Sequence, residues 1–291
     1  MKIMALPVPA RLASACRRTP ELTEWLRLLP NAVQTLEHRW SLTLGSPFET
    51  SSCAWVAPVS LPNRTYGVLK VGMPHMEGQH ELQGLHFWKG RPTVRLLKAD
   101  DQLGAMLLER CEPGTPLSAL PDSDQDIVIA RLLRRLWRPL SEPHPFRHLS
   151  AMTAHWSKET LADVEYWPDT GLVCEGLRLF QELPRTNPTE KDVLLATDLH
   201  AGNVLRAERE PWLVIDPKPF VGDPAYDATQ HLFNCRARLH SDPSGTIWRV
   251  ADLLGVDRER VRLWMFARAA AEPRSNWRNG DSIAMAGKLA L

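Results

Sequence analysis

Short apolar blocks alternate with polar ones along this chain, and the blocks interrupted by single polar residues carry most of the information. The run Val193-Leu194-Leu195-Ala196 predicts a buried strand, and the loop after it holds Asp198 and then Asn203. Val204-Leu205 resumes the apolar pattern. The polar stretch Ala207-Glu208-Arg209-Glu210-Pro211 predicts a turn, and Trp212-Leu213-Val214-Ile215 predicts a second strand that delivers Asp216 into a Pro-punctuated loop. If these segments pair antiparallel, Asn203 and Asp216 lie side by side at the open end of a hairpin, where one Mg²⁺ could bridge them.

Upstream, Tyr66-Gly67-Val68-Leu69-Lys70-Val71 alternates as a strand does, with Lys70 on the face opposite Leu69 and Val71. Leu82, Leu85 and Trp88 recur at helical spacing within a predicted helix near Met76 to Trp88, which also carries Glu77 and Glu81 one turn apart. Helices are expected at Glu21 to Leu29 and Ala32 to Trp40. A strand, Ala105 to Leu108, ends at the abruptly polar Glu109-Arg110-Cys111-Glu112-Pro113-Gly114. Arg131, Arg134, Arg135 and Arg138 describe one helix face, read as solvated, and the helix should end at Pro139 to Pro145. Glu182 to Glu190 is a second Pro-containing connection, and an apolar helix should begin near Ala228.

Composition narrows the classes. In 291 residues, 44% hydrophobic and 24% charged, there is room for two lobes with sizeable cores. A net charge of +1 and dispersed basic residues give no footprint for nucleic acid. No apolar run approaches the roughly 20 residues that span a bilayer, so no membrane partner is expected. Five cysteines without CxxC spacing point to reduced thiols and a cytoplasmic setting, and show no zinc site. Pro7 and Pro9 interrupt the run Ile3 to Leu6, which reads as a cytoplasmic start and not a secretion signal. No obligate protein partner is evident.

The polar set matches one chemistry. Moving a γ-phosphoryl group needs a metal to offset charge on the phosphate oxygens and a carboxylate to orient and deprotonate the attacking hydroxyl. Asp198 suits the second task, and Asn203 with Asp216 suits the first. An Asp-x-x-x-x-Asn loop followed by a strand and an Asp is the order of a kinase catalytic loop and its metal segment. Turn-forming Asp and Asn are the competing reading of each residue singly.

Through ThrAspLeuHisAlaGlyAsn (197 to 203), ArgGluProTrpLeuValIleAspProLysPro (209 to 219) and GlyAspProAlaTyrAsp (222 to 227), the chain resembles the aminoglycoside phosphotransferases of the kinase-like superfamily. The match is closer to the streptomycin 6-kinase and hydroxyurea phosphotransferase branch. It extends upstream through GlySerProPheGluThrSerSer (45 to 52), LeuLysValGlyMet (69 to 73) and LeuLeuGluArgCysGluProGlyThr (107 to 115). One departure is Ala196-Thr197, where many relatives have His-Gly; the His that braces the loop is missing.

The resemblance implies an α+β, two-lobed protein-kinase-like fold. A small antiparallel-sheet lobe at 1 to 110 binds nucleotide, a larger mainly helical lobe at 111 to 291 carries catalysis and acceptor binding, and ATP lies between them. It implies Lys70 on the α- and β-phosphates and paired to a Glu; Glu81 lies in the periodic part of its helix, and Glu77 is the rival. Main-chain groups of Glu109 and Cys111 would contact adenine, and Ser51 and Ser52 would sit in the loop over the phosphates. Asp227 would be structural, capping a helix or bonding the catalytic loop. Asp223 and His200 are candidate acceptor contacts, although Asp223 could equally start the turn before Pro224.

The reading is an ATP- and Mg²⁺-dependent phosphotransferase acting on a hydroxyl of a small molecule, of hydroxyurea or streptomycin type, giving resistance by modification. The C-terminal helices should line the acceptor site. Arg258, Arg260, Arg262, Arg268, Arg274, Arg278 and Lys288 outnumber Glu259, Glu272 and Asp281 there, which leans against a polycationic acceptor. The alternative is a nucleotide-binding pseudokinase; retention of Lys70, Asp198, Asn203 and Asp216 together argues against it. Asp-Pro-Lys in place of Asp-Phe-Gly, with no room for an activation segment, argues against a protein kinase.

Overall fold

A computed structural model of the chain describes residues 6–186, 192–273 and 280–290. The chain forms two compact units, Met1–Gly114 with Arg206–Leu213, and Thr115–Leu205 with Val214–Leu291. The expected connection to Glu190, the run Ile3 to Ala5, Arg274 and Arg278 fall wholly or partly outside the described residues. No described helix is long and apolar enough to cross a membrane.

The first unit contains helices α1 (Ala10–Ala15), α2 (Pro20–Trp40) and α3 (Glu81–Trp88), with strands β1 (Thr43–Leu44), β2 (Ala54–Ser60), β3 (Tyr66–Gly72), β4 (Leu96–Asp100) and β5 (Ala105–Glu109). These strands make an antiparallel sheet in the order β1-β2-β3-β5-β4, so Lys70 lies on the central strand, opposite Val56 and Met106. Leu29, Val33, Leu36 and Trp40 of α2 pack in one core with Trp55, Ala57, Leu69, Val71 and Leu107. Strand alternation therefore sends Leu69 and Val71 into this core and Lys70 to the other face.

Where the sequence suggests two helices separated at Pro30, the structure has one, capped by the Thr19 hydroxyl, which accepts from Leu22 N at 3.3 Å. Pro30 is exposed, while the buried stripe at 29, 33, 36 and 40 continues in phase on either side of it. Burial of that stripe offsets the cost of an interior proline, about 3 kcal/mol. The segment expected as one helix from Met76 begins instead with a 3-10 turn, Glu77–His80, before α3.

The chain leaves the first unit within β6 (Pro113–Pro116) and continues through α4 (Asp122–Leu136), α5 (Leu149–Ala162), α6 (Thr170–Glu182), β7 (Val193–Leu195), β8 (Val204–Ala207), β9 (Trp212–Val214) and β10 (Phe220–Gly222). Helices α7 (Pro224–Asn234), α8 (Arg236–Ser241), α9 (Pro243–Leu254), α10 (Arg258–Ala271) and α11 (Asp281–Leu289) complete the second unit. β7 pairs antiparallel with β10, and β8 neighbours β9. Helix α4 ends at Leu136, so Arg131, Arg134 and Arg135 form its exposed face and Arg138 lies beyond it.

Two polar hubs fasten the helices of this unit. Arg268 of α10 is buried, donates to Thr229 and Gln230 of α7 and to Glu272, and lies over the rings of Trp156, Tyr226 and Phe233. Asp126 of α4, wholly buried, accepts from His231 at 2.8 Å, Arg238 at 2.8 Å and Arg249 at 2.9 Å. Burial would raise its pKa, but these three donors outweigh burial and hold it well below the usual carboxylate range. His231, disfavoured as a cation by burial, is nonetheless raised to about 9 by Asp126 and Cys235. Asp126, His231 and Cys235 lie close enough to ligate a metal, yet the two guanidinium groups already occupy the carboxylate.

Candidate active site

The loop after β7 is anchored from below by Asp227. That carboxylate is fully buried, and it accepts from Thr197 N at 2.7 Å, Ala196 N at 2.9 Å and Trp137 Nε1 at 2.9 Å. Burial pushes its pKa up to about 6, against these three donors, which favour the ionised form. The bond to loop backbone follows the structural role expected for Asp227. Helix capping falls to Asp223 instead, because α7 begins at Pro224, earlier than its apolar pattern suggests.

Thr197 has φ +46°, a conformation that costs a β-branched residue about 1–3 kcal/mol. Its hydroxyl donates to the Lys218 carbonyl at 2.6 Å, and Lys218 N donates to the Ala196 carbonyl at 2.8 Å. Thr197 and Lys218 thus brace the loop at the place where the resemblance leads one to expect a His. The Asp198 amide also donates to the Ala196 carbonyl, at 2.7 Å, and the Asp198 side chain is half-buried.

Asn203 Nδ2 donates to the Asp198 carbonyl at 3.0 Å, which closes the loop on itself and turns the amide oxygen away from that bond. Its own carbonyl accepts from Ile215 N at 2.9 Å, so Asn203 lies beside the strand end that delivers Asp216. Asp216 follows Ile215 directly, so the Asn203 backbone is bonded one residue short of the second acid. Asp216 has φ +53°, a region that Asp enters more readily than most residues, and its Oδ1 accepts from Lys218 Nζ at 2.5 Å.

In the first unit, Lys70 Nζ lies 2.6 Å from both oxygens of Glu81, and both side chains are buried. Glu81, the residue favoured from the helical period, is thus a partner of Lys70. Glu109 at the end of β5 accepts from Arg209 Nε at 2.9 Å and Nη2 at 2.8 Å, and from Arg95 N at 2.9 Å. Burial opposes its charge, but Arg209 and the Arg95 amide hold its pKa below the ordinary value. Its carboxylate is thus committed to structure. Arg209 also donates to the carbonyls of Gly90 and Thr93; its bridge to Glu109 joins segments too far apart in sequence to signal each other. Burial, with the Glu109 charge, pushes the Cys111 thiol up to about 11, so it stays protonated. Ser51 Oγ donates to the Ala54 carbonyl at 2.7 Å, and Ser52 Oγ lies 3.6 Å from Cys53 Sγ.

Asp223 does not fit an acceptor contact. Its Oδ1 accepts from Ala225 N at 2.9 Å, and its Oδ2 accepts from Arg260 Nε at 2.5 Å and Trp264 Nε1 at 2.6 Å, leaving it 4% exposed. It caps α7 and ties it to α10. His200 Nδ1 accepts from Gly202 N at 3.1 Å, and burial lowers its pKa, so the ring is neutral. The charge argument about α10 is also corrected: Arg258, Arg260, Arg262 and Arg268 pair with Asp252, Asp223, Glu259 and Glu272. Internal pairing cancels the excess that sequence counting attributes to the acceptor site.

A family model described as aminoglycoside/hydroxyurea antibiotic resistance kinase matches residues 39–280. A streptomycin 6-kinase of Streptomyces glaucescens is 33% identical over 279 residues, spanning 92% of this chain and 89% of its own. A hydroxyurea phosphotransferase of Kitasatospora aureofaciens is 35% identical over 255 residues, spanning 84% and 72%. Among solved structures, a choline kinase of Streptococcus pneumoniae matches with TM-score 0.66 at 12% identity, covering 91% of this chain and 99% of that one. A macrolide 2'-phosphotransferase of Brachybacterium faecium matches with TM-score 0.56 at 15% identity, covering 89% and 96%. These likenesses establish the kinase-like α+β fold. The family match and the first two relatives agree with the loop chemistry: the chain belongs to the aminoglycoside/hydroxyurea antibiotic resistance kinases and is an ATP-dependent small-molecule phosphotransferase.

Proposed function

We propose that the enzyme transfers the γ-phosphoryl group of Mg-ATP to a hydroxyl of an inhibitory small molecule, of streptomycin or hydroxyurea type, and so inactivates it in the cytoplasm. The observation that carries this reading is the Asp198 loop: a half-buried carboxylate on a backbone fixed by Asp227, Thr197 and Lys218, with the Asn203 carbonyl bonded to Ile215, the residue before Asp216. Asp198 orients the acceptor hydroxyl and takes its proton on a carboxylate oxygen. The fixed backbone keeps that oxygen in place, so less is lost to orientation when the acceptor arrives.

The Asn203 amide oxygen and the Asp216 carboxylate are an all-oxygen donor set, one residue removed from the bond between Asn203 and Ile215, and this chemistry fits Mg²⁺. Bound there, the ion would offset charge on the phosphate oxygens. Lys70, aligned by Glu81, would hold the α- and β-phosphates, and main-chain groups of Glu109 and Cys111 would hold adenine. Ser51 and Ser52 would lie over the phosphates, and His200, neutral, would face the acceptor as a hydrogen-bonding group. Support for the acceptor class comes from the two relatives named above and from no charge feature of α10.

The test is ADP release from Mg-ATP by purified protein with streptomycin, hydroxyurea and other aminoglycosides in parallel, with phosphorylated product identified by mass. Acceptor-dependent release with one of them supports the reading. ATP binding without release for any acceptor in the panel would point to an acceptor outside the panel or to the pseudokinase alternative.

A further inference from the structure

The backbone of Lys218 belongs to the loop brace, whereas its side chain is a buried cation with no role assigned above. Its side chain is 5% exposed and its ammonium rests on Asp216 Oδ1, whereas the Asp216 side chain is 33% exposed. Both backbone groups of Lys218 are bound to the catalytic loop, N–H to the Ala196 carbonyl and carbonyl to the Thr197 hydroxyl. These main-chain bonds fix where the Lys218 side chain starts, and its burial leaves little water to solvate the ammonium.

We propose that Lys218 is a positioning residue that reserves one oxygen of Asp216, so that this carboxylate meets the metal through its other oxygen alone. The inference rests on Asp216 being a metal ligand. Three features carry it. The ion pair already occupies Oδ1. Asp216 is held by its left-handed backbone between Ile215, bonded to Asn203, and Lys218, bonded to Ala196, which fixes the point from which its side chain projects. A fixed ammonium beside a divalent cation also opposes tight binding, which keeps the ion exchangeable between turnovers. Lys218 therefore couples the loop that carries Asp198 to the geometry of the metal site. A Lys at this position does what a second coordinating oxygen would prevent.

Tb³⁺, substituting for Mg²⁺ in the presence of a non-hydrolysable ATP analogue, tests this through luminescence lifetimes in H₂O and D₂O, which count metal-bound waters. Lys218→Met, which keeps the volume and removes the ammonium, should release Oδ1 to the ion, lower the water count by one and tighten Tb³⁺ binding about tenfold. Lys218→Gln keeps a hydrogen-bond donor for Oδ1 without the charge; its water count should stay at the wild-type value while affinity still rises. An unchanged count and affinity in Lys218→Met, with its melting temperature close to wild type, would overturn the proposal. If Lys218→Met melts early, an unchanged affinity in Lys218→Gln would do the same. Asp216→Ala separates the two levels: equal Tb³⁺ binding by wild type and Asp216→Ala removes Asp216 as a ligand, whereas weaker binding in Asp216→Ala with no effect at Lys218 removes only the positioning role.

Discussion

The amide of Thr197 donates to Asp227 Oδ1 at 2.7 Å, so a carboxylate in the first turn of α7 sets the backbone from which Asp198 projects. Oδ2 of the same group holds the preceding amide of Ala196. An acid that sequence reasoning leaves structural is thereby tied to the chemistry through two hydrogen bonds.

Asp227→Ala should strand those two buried amides and the Trp137 indole N–H. Each buried donor left unpaired costs about 1–3 kcal/mol. The variant should lose at least about 2 kcal/mol in denaturant melts, relative to wild type, and its kcat should fall even under conditions where it is fully folded. A folded variant with wild-type kcat would mean that the anchor does not position Asp198.

Thr197 separates strain from hydrogen bonding. Thr197→Val keeps the β-branched side chain at φ +46° but removes the donor to the Lys218 carbonyl, and should destabilise by about 1–3 kcal/mol. Thr197→Gly loses the same bond but relieves the backbone, so it should lie nearer wild type. Chemical denaturation of both variants decides the order; Val more stable than Gly would contradict it.

Lys70 and Glu81 form a buried pair, and removing one partner leaves the other charge uncompensated. Lys70→Met should cost about 3–5 kcal/mol. Adding Glu81→Leu should restore much of that stability without restoring ATP affinity, because only the pair's electrostatic mismatch is repaired. Isothermal titration with Mg-ATP on the double variant provides the check. Recovered affinity would leave Lys70 a structural role only.

The Asp126 hub makes stability depend on pH in a stated direction. His231, at about 9 in the fold against 6.5 for an ordinary histidine, contributes fully below 6.5 and loses its contribution as pH rises through 9. Asp126, lowered from 3.8, contributes above 3.8 and loses its contribution on acidification below it. Denaturant midpoints should therefore fall between pH 6.5 and 9 for wild type and fall less for His231→Gln. Parallel slopes for the two proteins would rule out the histidine as the source.

Local patterns made much of this site legible. Strand alternation put Lys70 opposite Leu69 and Val71, helical period pointed to Glu81, and the turn read at 207–211 brought Ile215, the residue before Asp216, onto the Asn203 carbonyl. What local pattern could not show were pairings between distant segments. Arg209 meets Glu109, Arg260 meets Asp223, and Arg238 with Arg249 meets Asp126, each across a long stretch of chain that no periodicity spans. Asp223 and the α10 arginines were for that reason assigned to the acceptor, although Asp223 pairs with Arg260 and the other arginines pair with Asp252, Glu259 and Glu272. Pro30 misled because its propensity is local while the burial that overrides it is tertiary.

The central claim is that Asp198 is the base of a phosphoryl transfer and not a turn-forming residue. Its direct test is Asp198→Asn, which keeps shape and hydrogen bonding but cannot accept the proton, assayed for acceptor-dependent ADP release alongside Mg-ATP affinity by titration. Turnover should fall by about 10²–10⁴-fold with nucleotide affinity nearly unchanged. Wild-type turnover in Asp198→Asn would contradict the assignment.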